Sequence, residues 1–79
     1  MGRKSRAVSG EAVRRAQRKL AQLDSVESVE ELRKPPGNKL HKLGGSREGQ
    51  WAISVNDQYR ICFRFEDGDA YDVEATDYH

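Results

Sequence analysis

Cysteine is nearly absent from this 79-residue chain, since Cys62 is the only one. No internal disulfide can therefore form. One cysteine with two histidines, His41 and His79, is also too small a ligand set for a structural zinc site. Proline occurs only as the adjacent pair Pro35-Pro36, so the strongest chain breakers sit at a single point. Long apolar runs are missing, which excludes a membrane-spanning helix. The N-terminus is basic but no apolar stretch follows it, which argues against a secretory signal and makes the cytoplasm the expected compartment. An excess of one charge is missing too: 14 Lys and Arg face 13 Asp and Glu, for a net charge of +1.

The distribution of that charge is uneven. Residues 1–23 hold seven basic residues against Glu11 alone, net +6, whereas residues 65–79 are net −6. A basic pole of this kind suits a phosphate backbone or an acidic protein. The same pattern also describes the solvated face of a helix. Hydrophobic residues make up 35% and charged residues 34% of the chain, but the apolar ones cluster in segments, as in a folded domain. The length fits one small domain, residues 1–79, and chains near this size bury only about 60% of their unfolded surface.

Residues 1–8 read as a flexible basic leader. Ser9 is suited to cap a helix running to about Leu23, with Glu11 in its first turn and Val13, Ala16, Leu20 and Leu23 as the apolar stripe. Ser28-Val29-Glu30-Glu31 has the pattern of a capping box and predicts a short second helix ending near Arg33. The Lys34–Asn38 segment then turns the chain. The remainder reads as β-structure. A short strand is expected at Lys39–Leu43 and another at Trp51–Val55, followed by a turn at Asn56-Asp57-Gln58. Tyr59–Phe65 sends Ile61, Phe63 and Phe65 to one face and Arg60, Cys62 and Arg64 to the other. Asp67-Gly68 signals a hairpin, and Tyr71, Val73 and Ala75 alternate with acids in a last strand. The expected fold is α+β, with two helices packed on one face of a small antiparallel sheet.

The chain ends on Asp77-Tyr78-His79, a carboxylate, an aromatic and an imidazole directly after a predicted strand. Histidine exchanges a proton near neutral pH without help. If the strands pair as a meander, His41 and His79 border the face that carries Arg60 and Arg64, with Arg47 and Lys42 nearby. Guanidinium groups offer a bidentate fork to phosphate. These ingredients match RNA cleavage without metal: a base, an acid, and cations for the charged phosphorane. Blander assignments compete. Arg60 and Arg64 also read as strand residues paired with Asp72 or Glu74, His41 as a surface histidine, and Trp51 as core. Gly44-Gly45 lacks the spacing of a nucleotide-binding loop.

Residues 35–79 resemble the HigB branch of the RelE toxin superfamily. The resemblance rests on Leu40-His41, Arg47-Glu48-Gly49, Tyr59-Arg60-Ile61-Cys62-Phe63 and the terminal Asp77-Tyr78-His79; residues 9–34 resemble the helical part of that family more weakly. It implies a ribosome-dependent endoribonuclease, the toxin of a type II toxin–antitoxin pair, cutting mRNA in the ribosomal A site without cofactor or metal. Its implied partners are the ribosome, mRNA and a helix-turn-helix antitoxin of the HigA kind that also represses the operon. Carried onto this chain, His79 and Asp77 are the main acid–base residues with His41 assisting. Arg60 holds the scissile phosphate, Tyr78 positions the nucleotide, and Arg47, Lys42 and Arg64 contact RNA. Two departures accompany the match. Nothing in residues 1–8 reads as the strand with which the family begins, and Gly44 stands where the family often has lysine. Both leave open a second reading, a truncated and weakly active or inactive homologue that binds its antitoxin and tunes repression.

Overall fold

The computed structural model describes residues 10–34 and 36–77. One α-helix, α1 (Gly10–Ser25), leads through two short 3₁₀ segments (Val29–Arg33 and Pro36–Asn38) into four strands. These are β1 (His41–Lys42), β2 (Trp51–Ser54), β3 (Tyr59–Glu66) and β4 (Asp69–Asp77), with a further 3₁₀ turn at Gly45–Arg47 between β1 and β2. The sheet is an antiparallel meander in the order β1-β2-β3-β4. The α+β expectation therefore holds, but with a single α-helix. No helix among the described residues is long and apolar enough to cross a membrane.

The expected second helix is a five-residue 3₁₀ segment. Ser28 is extended, as an N-cap should be, yet its side chain makes no cap bond. The Glu31 carboxylate instead accepts from the backbone N–H of Glu27 at 3.2 Å. With so few residues between Ser28 and the prolines, an α-helical nucleus cannot offset its entropic cost. The segment is held by its tertiary contact, since Leu32 is fully buried.

One core fills the space between α1, the 3₁₀ segments and one face of the sheet. Leu23, Val26, Leu32, Leu40, Ile53, Val55, Ile61 and Phe63 form it, with Trp51, Tyr59 and Phe65 packed at its edge. The helix keeps Ala16 and Leu23 of the expected stripe inward but turns Val13 and Leu20 away from the core. Ala12 and Leu23 are buried, whereas Val13 and Leu20 remain 43% and 40% exposed. Val13 and Leu20 line an apolar groove with Ala12, Ala16, Val55, Tyr59 and Ala75. The inward face is thus turned toward Ala12, Ala16, Lys19 and Leu23, and a lysine occupies its rim.

Asn38 explains how that rim tolerates a cation. Its side chain is fully buried. The Nδ2 group donates to the Leu32 carbonyl at 3.0 Å and to Gln22 Oε1 at 3.2 Å, and Oδ1 accepts from the Lys19 ammonium. One amide thereby ties the helix to the segment that enters the sheet.

Strand β4 departs from its expected burial. Tyr71 and Val73 are 42% and 41% exposed, because a β-bulge breaks the alternation. Cys62 pairs with Glu74 and Arg64 with Tyr71, so Asp72 and Val73 together oppose Phe63. Asp72 takes a left-handed backbone, φ 54°, which Asp tolerates better than most residues. The hairpin at Asp67-Gly68 forms as expected, with positive φ at both residues. Asn56 also makes its turn, accepting from the N–H groups of Gln58 and Tyr59 at 2.9 and 2.8 Å.

Asn38→Ala removes the partner of a buried carbonyl and of the Lys19 ammonium. It is expected to lower the unfolding free energy by roughly 1–3 kcal/mol in urea titration. An unchanged midpoint would show that Asn38 does not carry the junction.

Candidate functional site

The site face is set by the period of two along β3. Because Ile61 and Phe63 enter the core, Arg60, Cys62 and Arg64 must leave through the opposite face. Register then assigns their neighbours. Ser54, Arg60 and Thr76 form one cross-strand row, and His41, Ala52, Cys62 and Glu74 form the next. Ala52 and Cys62 are fully buried and Ser54 nearly so. They give this face a floor of small side chains between longer polar ones.

Arg60 is held in place by β4. Its Nε donates to Thr76 Oγ1 at 3.3 Å, and that hydroxyl also lies 3.6 Å from Cys62 Sγ. Arg47 enters the face from the Gly45–Arg47 turn. Its guanidinium donates to Gln50 at 3.0 Å and reaches across to Glu74 at 3.1 Å. Arg64 is paired with Asp72 at 2.7 Å and Glu66 at 2.5 Å. Asp72, Glu66 and their hydrogen bonds hold its charge, raising its pKa further above the ordinary value. The Asp72 pairing expected as the blander alternative for Arg64 is thus present. Tyr71 joins this end, with its ring 5.5 Å from the Arg64 guanidinium.

His41 is exposed on the same face at the β1 edge. Its Nδ1 lies 2.9 Å from the Lys39 carbonyl. A carbonyl can only accept, so Nδ1 carries the proton there and, in the neutral ring, Nε2 is left as the basic nitrogen. Asp77 ends β4 opposite Tyr59, next to the Arg60–Thr76 row, and accepts from Gln58 Nε2 at 3.2 Å. Tyr78 and His79 lie outside the described residues. Among those described, no group of three His, Cys, Asp or Glu side chains is arranged to hold a metal ion.

The structure therefore brings His41, Arg47, Arg60 and Arg64 onto one face; Asp77 ends β4 opposite the core-packed Tyr59, one step out of phase with Thr76. It does not bring Lys42 there. Lys42 pairs with Trp51, one step out of phase with His41, and its ammonium sits 5.3 Å from the Trp51 ring centroid on the other side of the sheet. A strand alternates its faces, so a basic residue next to His41 cannot share its side. Lys42 and Trp51 instead border a cleft of about 670 Å³ formed with residues 43–45 and 48–50. Trp51 is half-buried against the core, as the blander assignment had it. Sequence reasoning missed Thr76 and Tyr71 as site residues and Glu74 as the partner of Arg47. The first two became visible only with the register and the bulge, although Glu74 was noted as a candidate partner for the β3 arginines.

Residues 2–79 match the family described as the RelE-like toxin of the type II toxin–antitoxin system HigB. The chain belongs to the HigB-like toxin family. Among its relatives, Endoribonuclease HigB of Proteus vulgaris is 40% identical over 72 residues, covering 91% of this chain and 77% of that protein. Toxin HigB-1 of Vibrio cholerae is 45% identical over 51 residues, or 65% of this chain, and the match covers 54% of its own length. A HigB-like toxin has its antitoxin as partner by the nature of the type II system.

The Arg47–Glu74 bridge is solvent-exposed, and such pairs contribute about 0–1 kcal/mol. Glu74→Gln is accordingly expected to leave the urea midpoint nearly unchanged while releasing Arg47. Binding of a short 2′-O-methyl RNA, followed by fluorescence anisotropy, should then tighten. Weaker binding would mean that Glu74 serves to position Arg47 rather than to mask it.

Proposed function

We propose that this chain is a ribosome-dependent endoribonuclease, the toxin of its type II pair, cutting mRNA within the A-site codon. The observation that carries the reading is the β3–β4 register. Pairing of Arg60 with Thr76 sets the fixed arginine beside the end of the last strand, where Asp77 follows Thr76. The name of the Proteus vulgaris relative, an endoribonuclease, supports the reaction class.

In this mechanism a base removes the proton of a 2′-hydroxyl. The freed oxygen attacks the adjacent phosphorus, the bond to the 5′-oxygen breaks, and an acid protonates that leaving oxygen. The product strand ends in a 2′,3′-cyclic phosphate. His79 and Asp77 are the principal proton-transfer groups, and His41 assists from the opposite edge of the face through Nε2. Arg60 neutralises the phosphorane, whose charge exceeds that of the ground-state diester, so its interaction strengthens as the reaction proceeds. Tyr78 stacks on or positions the nucleotide. Arg47 and Arg64 contact flanking backbone in exchange for their intramolecular carboxylates. Lys42, on the Trp51 side, has no part in this constellation. The antitoxin partner is of the helix-turn-helix kind and neutralises the enzyme in its complex.

The test is cleavage of mRNA on programmed ribosomes, mapped by primer extension. Arg60→Ala is expected to lower the single-turnover rate about 10²–10³-fold, the loss of one charge-stabilising donor. His79→Gln should abolish the cuts while the protein keeps its fold and its antitoxin. Unchanged cleavage by the Arg60 variant would remove that residue from the mechanism. Absence of cuts from the folded wild-type chain would favour the antitoxin-binding, inactive reading.

A further inference from the structure

A second basic surface lies on the helix side of the sheet, away from Arg60. Arg15, Arg18, Lys19 and Gln22 recur at spacings of three and four, which puts them on one strip of α1. With Gly37 and Val55 they line a cavity of about 320 Å³. Since α1 packs on the face that carries Ile53, Ile61 and Phe63, the whole thickness of the sheet separates this cavity from the Arg60 row.

Two features distinguish the strip from an ordinary solvated helix face. The first is that acid compensates only one of its three cations. Arg15 pairs with exposed Glu11 at 3.3 Å, but among the described residues neither Arg18 nor Lys19 takes part in a salt bridge. The second is preorganisation. Lys19 is half-buried, and its ammonium is fastened to the buried Asn38 amide, which in turn holds Gln22. The anchor is neutral, so it orients the charge without cancelling it. Burial lowers the pKa of Lys19, and the neighbouring Arg18 and Arg15 lower it further. The cluster is thus only partly relieved, through Glu11, and a bound anion would relieve it further.

We infer that Arg15, Arg18 and Lys19 form a second phosphate-binding site, one that grips an RNA backbone distinct from the strand held by Arg60. Anion binding follows from the geometry alone; RNA as the polyanion rests on the nuclease reading above. A site on each side of the sheet suits a substrate presented inside a folded RNA, whose backbone meets the protein from two directions. The Arg60 side holds the strand to be cut, and the α1 side holds the surrounding RNA. Contacts to phosphate position a protein without reading sequence.

The test is the salt dependence of binding to a 2′-O-methyl RNA hairpin, which cannot be cleaved through its 2′-position. Wild type, Arg15→Gln/Arg18→Gln, Lys19→Gln and Arg60→Ala are compared, and each fold is checked by urea unfolding. Arg15 and Arg18 are exposed, so the double variant should keep its stability. Its affinity at low salt should fall at least tenfold, and the slope of log K against log salt should flatten by about 1.4–1.8 for two lost phosphate contacts. The same loss should appear in the Arg60→Ala background, which separates this site from the catalytic reading: cleavage can fail while the α1 contact persists. Unchanged affinity and slope in the folded double variant would overturn the inference. So would loss of antitoxin binding with RNA binding intact, because the strip would then be a protein interface.

Discussion

Strand β3 is paired on both sides, and everything else in the molecule is placed by its alternation. A residue pointing one way along it must be apolar to complete the core, and its neighbours must point the other way. Phe63 and Ile61 are the anchors: both are almost completely buried, and their transfer from water is the largest local driving force on the strand. Once they are seated, Arg60 and Arg64 have no freedom to choose a face. The face that the arginines occupy is therefore a consequence of core formation.

The charge on that face is graded by its neighbours. Arg64 is flanked by two carboxylates and Arg47 by one. The bulge at Asp72 produces much of this grading. By inserting one residue into β4 it lifts Asp72 onto Arg64 and brings Tyr71 to the same end. Without it, regular alternation would have carried Tyr71, Val73 and Ala75 together to the core side. The result is an edge strand whose apolar residues remain exposed and whose acids serve the site.

On the helix side, a buried amide performs a comparable task. Asn38 satisfies a carbonyl of the preceding 3₁₀ segment, fixes Gln22 and draws the Lys19 head group inward. Helix, connection and sheet entrance thus meet at one polar group in an otherwise apolar interior. A small domain with one modest core depends on such junctions, because each misplaced segment removes a large share of the buried surface.

The sequence by itself determined the class of fold, the first helix from about residue 10, the meander and its turns, and the face on which Arg60, Cys62 and Arg64 would lie. Those features depend on local patterns: helical spacing, period-two alternation, and turn residues such as Asp67-Gly68. The resemblance carried by the Tyr59–Phe63 and Asp77–His79 segments pointed to the family. Only the tertiary structure decided the rest. The 3₁₀ segment at residues 29–33, too short for a stable α-helix, was held in place by the packing of Leu32. Which stripe of α1 faced inward depended on Asn38, sixteen residues beyond Gln22. Lys42 was separated from His41 by strand alternation once the pairing of β1 with β2 was set, and Tyr71 was joined to Arg64 by a bulge. Each of these was settled by contacts between residues distant in the chain, and a local pattern carries no record of such contacts.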